Sequence, residues 1–114
     1  MKKLSIINIL NYLGTSTKYM GYLYIIDEAS MMIDLMKNNQ KIVLFDLFSK
    51  IANKYHTNWL CVEKNTRMCV EGIFKNGNID NINKMFDSIS SYYEDRPSNK
   101  LFLTTIVNYL NKEK

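Results

Sequence analysis

Apolar residues recur every three or four positions along most of this chain, and each run ends at a polar or glycine-containing break. The clearest run lies between Leu47 and Gly77. There Trp59, Val62, Thr66, Cys69, Val70, Ile73 and Phe74 draw one stripe down a long helix. Lys64, Arg67, Met68, Glu71 and Lys75 fall opposite, with Glu63 at the margin. A shorter helix precedes it, with Ile51, Ala52 and Tyr55 inward and Ala52 small enough for a second helix to cross closely. His56 and Thr57 form the turn, and Thr57 or Asn58 caps the long helix. That is the arrangement of a helix-turn-helix, whose second helix enters the DNA major groove.

The same periodicity organises the remainder. A first helix spans about Lys3 to Leu13, with Leu4, Ile7, Leu10 and Asn11 on its stripe and Gly14 as its stop. Gly14-Thr15-Ser16-Thr17 makes a turn whose hydroxyls are placed to cap the next helix. That second helix, about Lys18 to Lys37, carries Leu23, Ile26, Ala29, Ile33 and Met36 inward. Its methionines, Met31, Met32 and Met36, suit irregular gaps between helices better than a ligand groove. Asn38-Asn39-Gln40 breaks the pattern before the third helix, about Lys41 to Tyr55. After the long fourth helix, Gly77 takes the left-handed stop position. The fifth helix, about Ile79 to Tyr92, has Ile79, Ile82, Phe86, Ile89 and Tyr93 on one side. Glu94 to Asn99 is a loop in which Pro97 blocks helix continuation. The last helix runs from Lys100 to about Asn111, with Phe102, Ile106, Tyr109 and Leu110 inward. No segment alternates with period two over strand length, so the fold is expected to be all-α, six helices with the helix-turn-helix in helices three and four.

Composition narrows this picture. With 114 residues, 46% apolar and 23% charged, residues 1–114 fit one ordinary globular domain with its own core. The net charge of +4 favours nucleic acid or another anionic surface as partner. Cys61 and Cys69, eight apart on one helix, would lie about 12 Å from each other at ~1.5 Å per residue, too far for a disulfide. One histidine, His56, and no CxxC pair give no zinc site, and nothing in the sequence asks for a cofactor. MKKLSIINILNYL begins like a secretion signal, but Asn8 and Asn11 interrupt it and no cleavage pattern comes after it. With no run of ~20 apolar residues, a membrane partner is not expected and reduced thiols suit a cytoplasmic, nucleoid-associated protein.

Catalytic signatures are missing: no phosphate-binding glycine loop, no nucleophile elbow, no HExxH, and one histidine to serve as base. Two acidic pairs, Asp27 with Glu28 and Glu94 with Asp95, are expected on a solvated face and a loop. The chain therefore does not look like an enzyme. As a DNA reader it asks definite things of definite residues. Arg67 can bond guanine O6 and N7, Lys64 projects beside it, and Glu63 can accept from cytosine N4. Thr57, Asn58, Asn65 and nearby lysines would hold phosphates. The competing reading is that Glu63 and Arg67, at i and i+4, only pair with each other on a wet helix surface.

A family resemblance spans nearly the whole chain. Gly21-Tyr22-Leu23-Tyr24, Glu28-Ala29, Ser30-Met31, Ile51-Ala52, Lys54, Thr57, Val62-Glu63, Arg67, Gly77-Asn78-Ile79-Asp80, Pro97 and Asn99 resemble the C-terminal effector domain of the master response regulator of endospore formation in Firmicutes. The resemblance implies a six-helix, all-α domain whose recognition helix reads a short duplex DNA box and regulates transcription. It implies Glu63, Lys64 and Arg67 as the base-reading set, with Lys64 where the family has arginine. Leu60-Cys61 stands in place of a Ser-Arg pair. It also implies homodimers in tandem on adjacent boxes through the last helix, and a contact with an RNA polymerase sigma factor around Lys75 to Phe86. The family's regulator carries a receiver domain; the start at Met1 reads here as a stand-alone effector domain without phosphorelay control. Two other roles fit the same features: an accessory protein marking a transfer, replication or partition site on a mobile element, and a module that titrates a regulator without binding DNA.

Overall fold

The computed structural model describes residues 2–90, with side chains to 86, and residues 97–112. Among them are six helices and no strand: α1 (Lys2–Leu13), α2 (Met20–Lys37), α3 (Leu44–Lys54), α4 (Trp59–Asn76), α5 (Ile79–Ser90) and α6 (Asn99–Lys112). The fold is all-α. The side chain of Ile89, expected inward, lies outside the described part, and Tyr93, the end at Tyr92 and the acidic loop pair Glu94–Asp95 lie outside the described residues.

The architecture is built around α2, which packs against α1, α3, α4 and α6. Covered by neighbours around most of its circumference, α2 buries consecutive residues from Tyr24 to Ser30 as well as Met32 and Ile33. Leu23, expected inward, is 43% exposed. Related shifts occur at the ends of the chain. On α1 the buried set is Ile6, Ile9, Leu10 and Leu13, while Leu4 stands in solvent. On α6, Leu103 and Val107 join Phe102 and Ile106 in the core, whereas Tyr109 faces outward. Ile79 is 70% exposed. On α4, by contrast, Val62, Thr66, Cys69, Val70 and Ile73 are buried as the periodicity requires, and only Trp59 departs.

Several helix ends differ from expectation for local reasons. α2 starts at Met20 because Tyr19 is extended (φ −83°, ψ 133°). The Thr15 hydroxyl donates backwards to the Leu10 carbonyl at 2.8 Å, so it caps the end of α1 and not the start of α2. α3 starts at Leu44 after an extended Val43. At α4 the cap is Asn58, whose side chain accepts from the Cys61 amide at 3.0 Å. Between α3 and α4, His56 takes a left-handed conformation (φ 57°), which turns the chain over within residues 55–58.

Two apolar clusters hold the helices. The larger draws on all six helices, α3 through Leu47, and includes Met32, with Met31 and Met36 packed at its edge. At its centre Phe86 and Phe102 stack 5.6 Å apart, with Phe74 edge-on to Phe86 at 5.2 Å. The smaller cluster, Tyr24, Phe48, Ile51, Ala52 and Val62, seats α3 against both α2 and α4.

Glycine sets the closest approaches. A Cβ on Gly21 would stand 2.1 Å from the Asn65 carbonyl oxygen and 2.7 Å from Cys69 Cβ, so α2 touches the backbone of α4 there. Gly77 does not take the expected left-handed conformation, since its φ is −77°. Its requirement is space: a Cβ would meet the Leu13 carbonyl at 2.4 Å. Gly14 is the left-handed residue of this junction (φ 86°), and the Asn78 amide donates to the Leu13 carbonyl at 2.9 Å beside it. Gly21→Ala should lower unfolding stability by about 1–3 kcal/mol, the usual cost of overpacking, measured by urea denaturation. A variant as stable as the parent would mean that α2 and α4 separate there without penalty.

Candidate nucleic-acid interface

Leu60, Lys64, Arg67 and Glu71 succeed one another at i, i+4, i+7 and i+11, so they form a ridge along the side of α4 turned away from α2. Glu63 flanks this ridge. Arg67 Nη1 lies 3.2 Å from Glu63 Oε1, and Arg67 Nε lies 3.9 Å from Glu71 Oε1. The guanidinium is thus held along the helix surface between two carboxylates, about a third exposed. Such i,i+4 pairs are worth about 0.3–0.5 kcal/mol each, too little to keep the side chain from other partners. Lys64 is exposed beside it and forms no ion pair among the described residues.

Glu63, Lys64 and Arg67 therefore share one face, with exposed Asn58 and half-buried Thr57 at the start of the same helix. Asn65 is not brought to them. It lies about 140° around the helix from Leu60 at ~100° per residue. Its side-chain amide donates to the Cys61 carbonyl at 2.7 Å, and its own carbonyl sits under Gly21.

The ridge is braced from behind. Asn99, at the start of α6, is buried and donates to the Glu63 carbonyl at 3.3 Å. Asp27 and Glu28, expected on a solvated face, are buried instead and reach the two helices flanking the turn. Asp27 accepts from Lys54 Nζ at 2.9 Å and from the Tyr55 hydroxyl at 3.0 Å, both at the end of α3, with Lys3 Nζ of α1 at 3.3 Å. Glu28 accepts from the Thr66 hydroxyl of α4 at 2.7 Å. Residue type alone points to solvent. The available signal is position, because both carboxylates fall inside the apolar run from Tyr24 to Ile33.

These neighbours titrate in opposite directions. Burial pushes Asp27 upward, but hydrogen bonds from Lys54, Tyr55 and Lys3 outweigh it and hold the carboxyl below its ordinary range. Burial dominates at Glu28, reinforced by the Asp27 charge, and lifts it well above that range against one hydrogen bond from Thr66. The Cys69 thiol is pushed up to about 12, first by burial and then by Glu28, which makes it an inert core residue. Cys61 is free and exposed.

A family model described as "Sporulation initiation factor Spo0A C terminal" matches residues 6–110. The chain belongs to this family. The Spo0A C-terminal family is one of DNA-binding effector domains in transcription regulation, which places DNA binding on this all-α domain. Among the described residues no helix is long and apolar enough to cross a membrane.

The two carboxyls make stability depend on pH from both sides. Glu28, with its native value raised, stabilises the fold below the ordinary carboxylate range, and that contribution is lost as pH rises through the raised value. Asp27, with its native value lowered, contributes above the ordinary range, and that contribution is lost as pH falls through the depressed value. Urea unfolding across pH should show stability declining as pH rises from the ordinary carboxylate range toward the raised value of Glu28. Glu28→Gln should flatten that decline; an unchanged slope would remove Glu28 as its origin.

Proposed function

We propose that this protein is a sequence-specific duplex-DNA-binding transcription regulator, without catalysis, in which residues 1–114 act as one domain. α3 and α4 serve as a helix-turn-helix, with α4 in the major groove. The observation that carries this reading is the outward convergence of Glu63, Lys64 and Arg67 on a helix braced from behind by α2 and α6.

On DNA, Arg67 exchanges Glu63 and Glu71 for the O6 and N7 of a guanine. Such a base contact discriminates by about 1–3 kcal/mol, several times the strength of the surface ion pairs it replaces. Glu63, released, accepts from the N4 amino group of a cytosine. Lys64 lacks a planar fork and supplies a single contact, to a base or to a phosphate. Thr57 and Asn58 sit where phosphates approach the start of α4, whose N-terminus favours anions. The family resemblance supports two further partners: a second copy on an adjacent box, meeting this one through α6, and a sigma factor at Lys75 to Phe86.

Selection of bound sequences from a random duplex pool tests the reading. The parent should enrich one short box, with affinity falling steeply as salt rises because neutralised phosphates release counterions. Arg67→Ala should weaken binding to that box by about 1–3 kcal/mol and lose preference at one position. Identical enrichment by both proteins would overturn the site assignment.

A further inference from the structure

We propose that Leu60 determines part of the DNA sequence preference by seating against the 5-methyl group of a thymine. The inference rests on the base-reading role of α4 and adds a residue that neither its charge pattern nor its family match assigns. Leu60 is 58% exposed in the first turn of α4, at the head of the ridge that continues through Lys64 and Arg67. The rest of the ridge, Lys64, Arg67 and Glu71, is charged, as is Glu63 on one flank, while exposed Met68 lies on the other flank, about two turns further along the helix.

Position and rigidity both suit contact. In a recognition helix the first turns reach the base edges. Here the first turn is held at two points. Asn58 accepts from the Cys61 amide at 3.0 Å, and Trp59 packs edge-on against Phe45 of α3 with ring centroids 5.2 Å apart. Leu60 lies between those two anchors, so its Cα–Cβ direction is set before DNA arrives.

The chemistry then selects one base. A leucine side chain has neither donor nor acceptor, and an amino group pressed against it would lose its water with nothing in return. In the major groove thymine alone offers an apolar group, the C5 methyl; cytosine and adenine offer amino groups and guanine two acceptors. From Leu60 to Lys64 the helix rises about 6 Å at ~1.5 Å per residue, under two base-pair steps of ~3.4 Å. The thymine therefore lies within two or three base pairs of the position that Lys64 approaches.

The experiment uses the full chain, the box enriched by the parent, and the same box with each thymine replaced in turn by deoxyuridine, which lacks only the methyl. One substitution should weaken the parent about fourfold, the equivalent of one buried methyl group. Leu60→Ser, at an exposed position, should still unfold cooperatively and bind the thymine and deoxyuridine duplexes equally. Equal affinity of the parent for every substituted duplex, a box without thymine, or the same fourfold loss in Leu60→Ser would each overturn the role of Leu60 and leave base reading by Arg67 standing. Failure to enrich any box would remove both.

Discussion

The structure depends on one constraint: two adjacent carboxyls on a buried helix must each find a partner, and the partners lie on different helices. Transferring a carboxylate into a protein interior is costly unless it is paired or neutralised. Asp27 meets this by gathering Lys54, Tyr55 and Lys3, and stays charged. Glu28 has one donor, the Thr66 hydroxyl, and full burial shifts it toward the neutral acid. Neighbouring positions on a helix point about 100° apart, so one carboxyl holds the end of α3 while the other holds the middle of α4. The mutual orientation of α3 and α4 is thereby referred to a third element, α2.

Close packing enforces the same arrangement. Where Gly21 meets the Asn65 carbonyl there is no room for a side chain, so the inner face of α4 lies against the α2 backbone. The small cluster around Ile51, Ala52 and Val62 closes the angle between α3 and α4. With the inner face occupied, Leu60, Lys64 and Arg67 are turned outward, and the exposed ridge is a consequence of the packing behind it.

The ridge itself is electrostatically moderate. Arg67 between Glu63 and Glu71 is a cation already surrounded by opposite charge, and the pairs that hold it are weak. Such an arrangement restrains non-specific attraction while leaving the guanidinium free to exchange partners for a base edge. In the proposed function, pairing between Glu63 and Arg67 and recognition of DNA by the same residues are two states of one face.

Local sequence determined the helices, their order, the turn at His56, a cap at Thr57 or Asn58 and the inner stripe of α4, because each depends on periodicity or on residues within one turn of each other. The shared face of the proposed base-reading residues was equally legible, since i, i+3, i+4 spacing places Glu63, Lys64 and Arg67 together wherever the helix goes. Tertiary structure alone decided the rest. The stripes of α1, α2 and α6 depart from simple periodicity because which faces of these helices are covered depends on where their neighbours pack, which periodicity does not record. Asp27 and Glu28 resemble surface residues until Lys54 and Thr66, 27 and 38 positions away, are brought against them. Gly21 and Gly77 carry no local sign of the close approaches they permit. A helical pattern records which residues lie side by side along a helix; which helix stands opposite is set by packing across the whole chain.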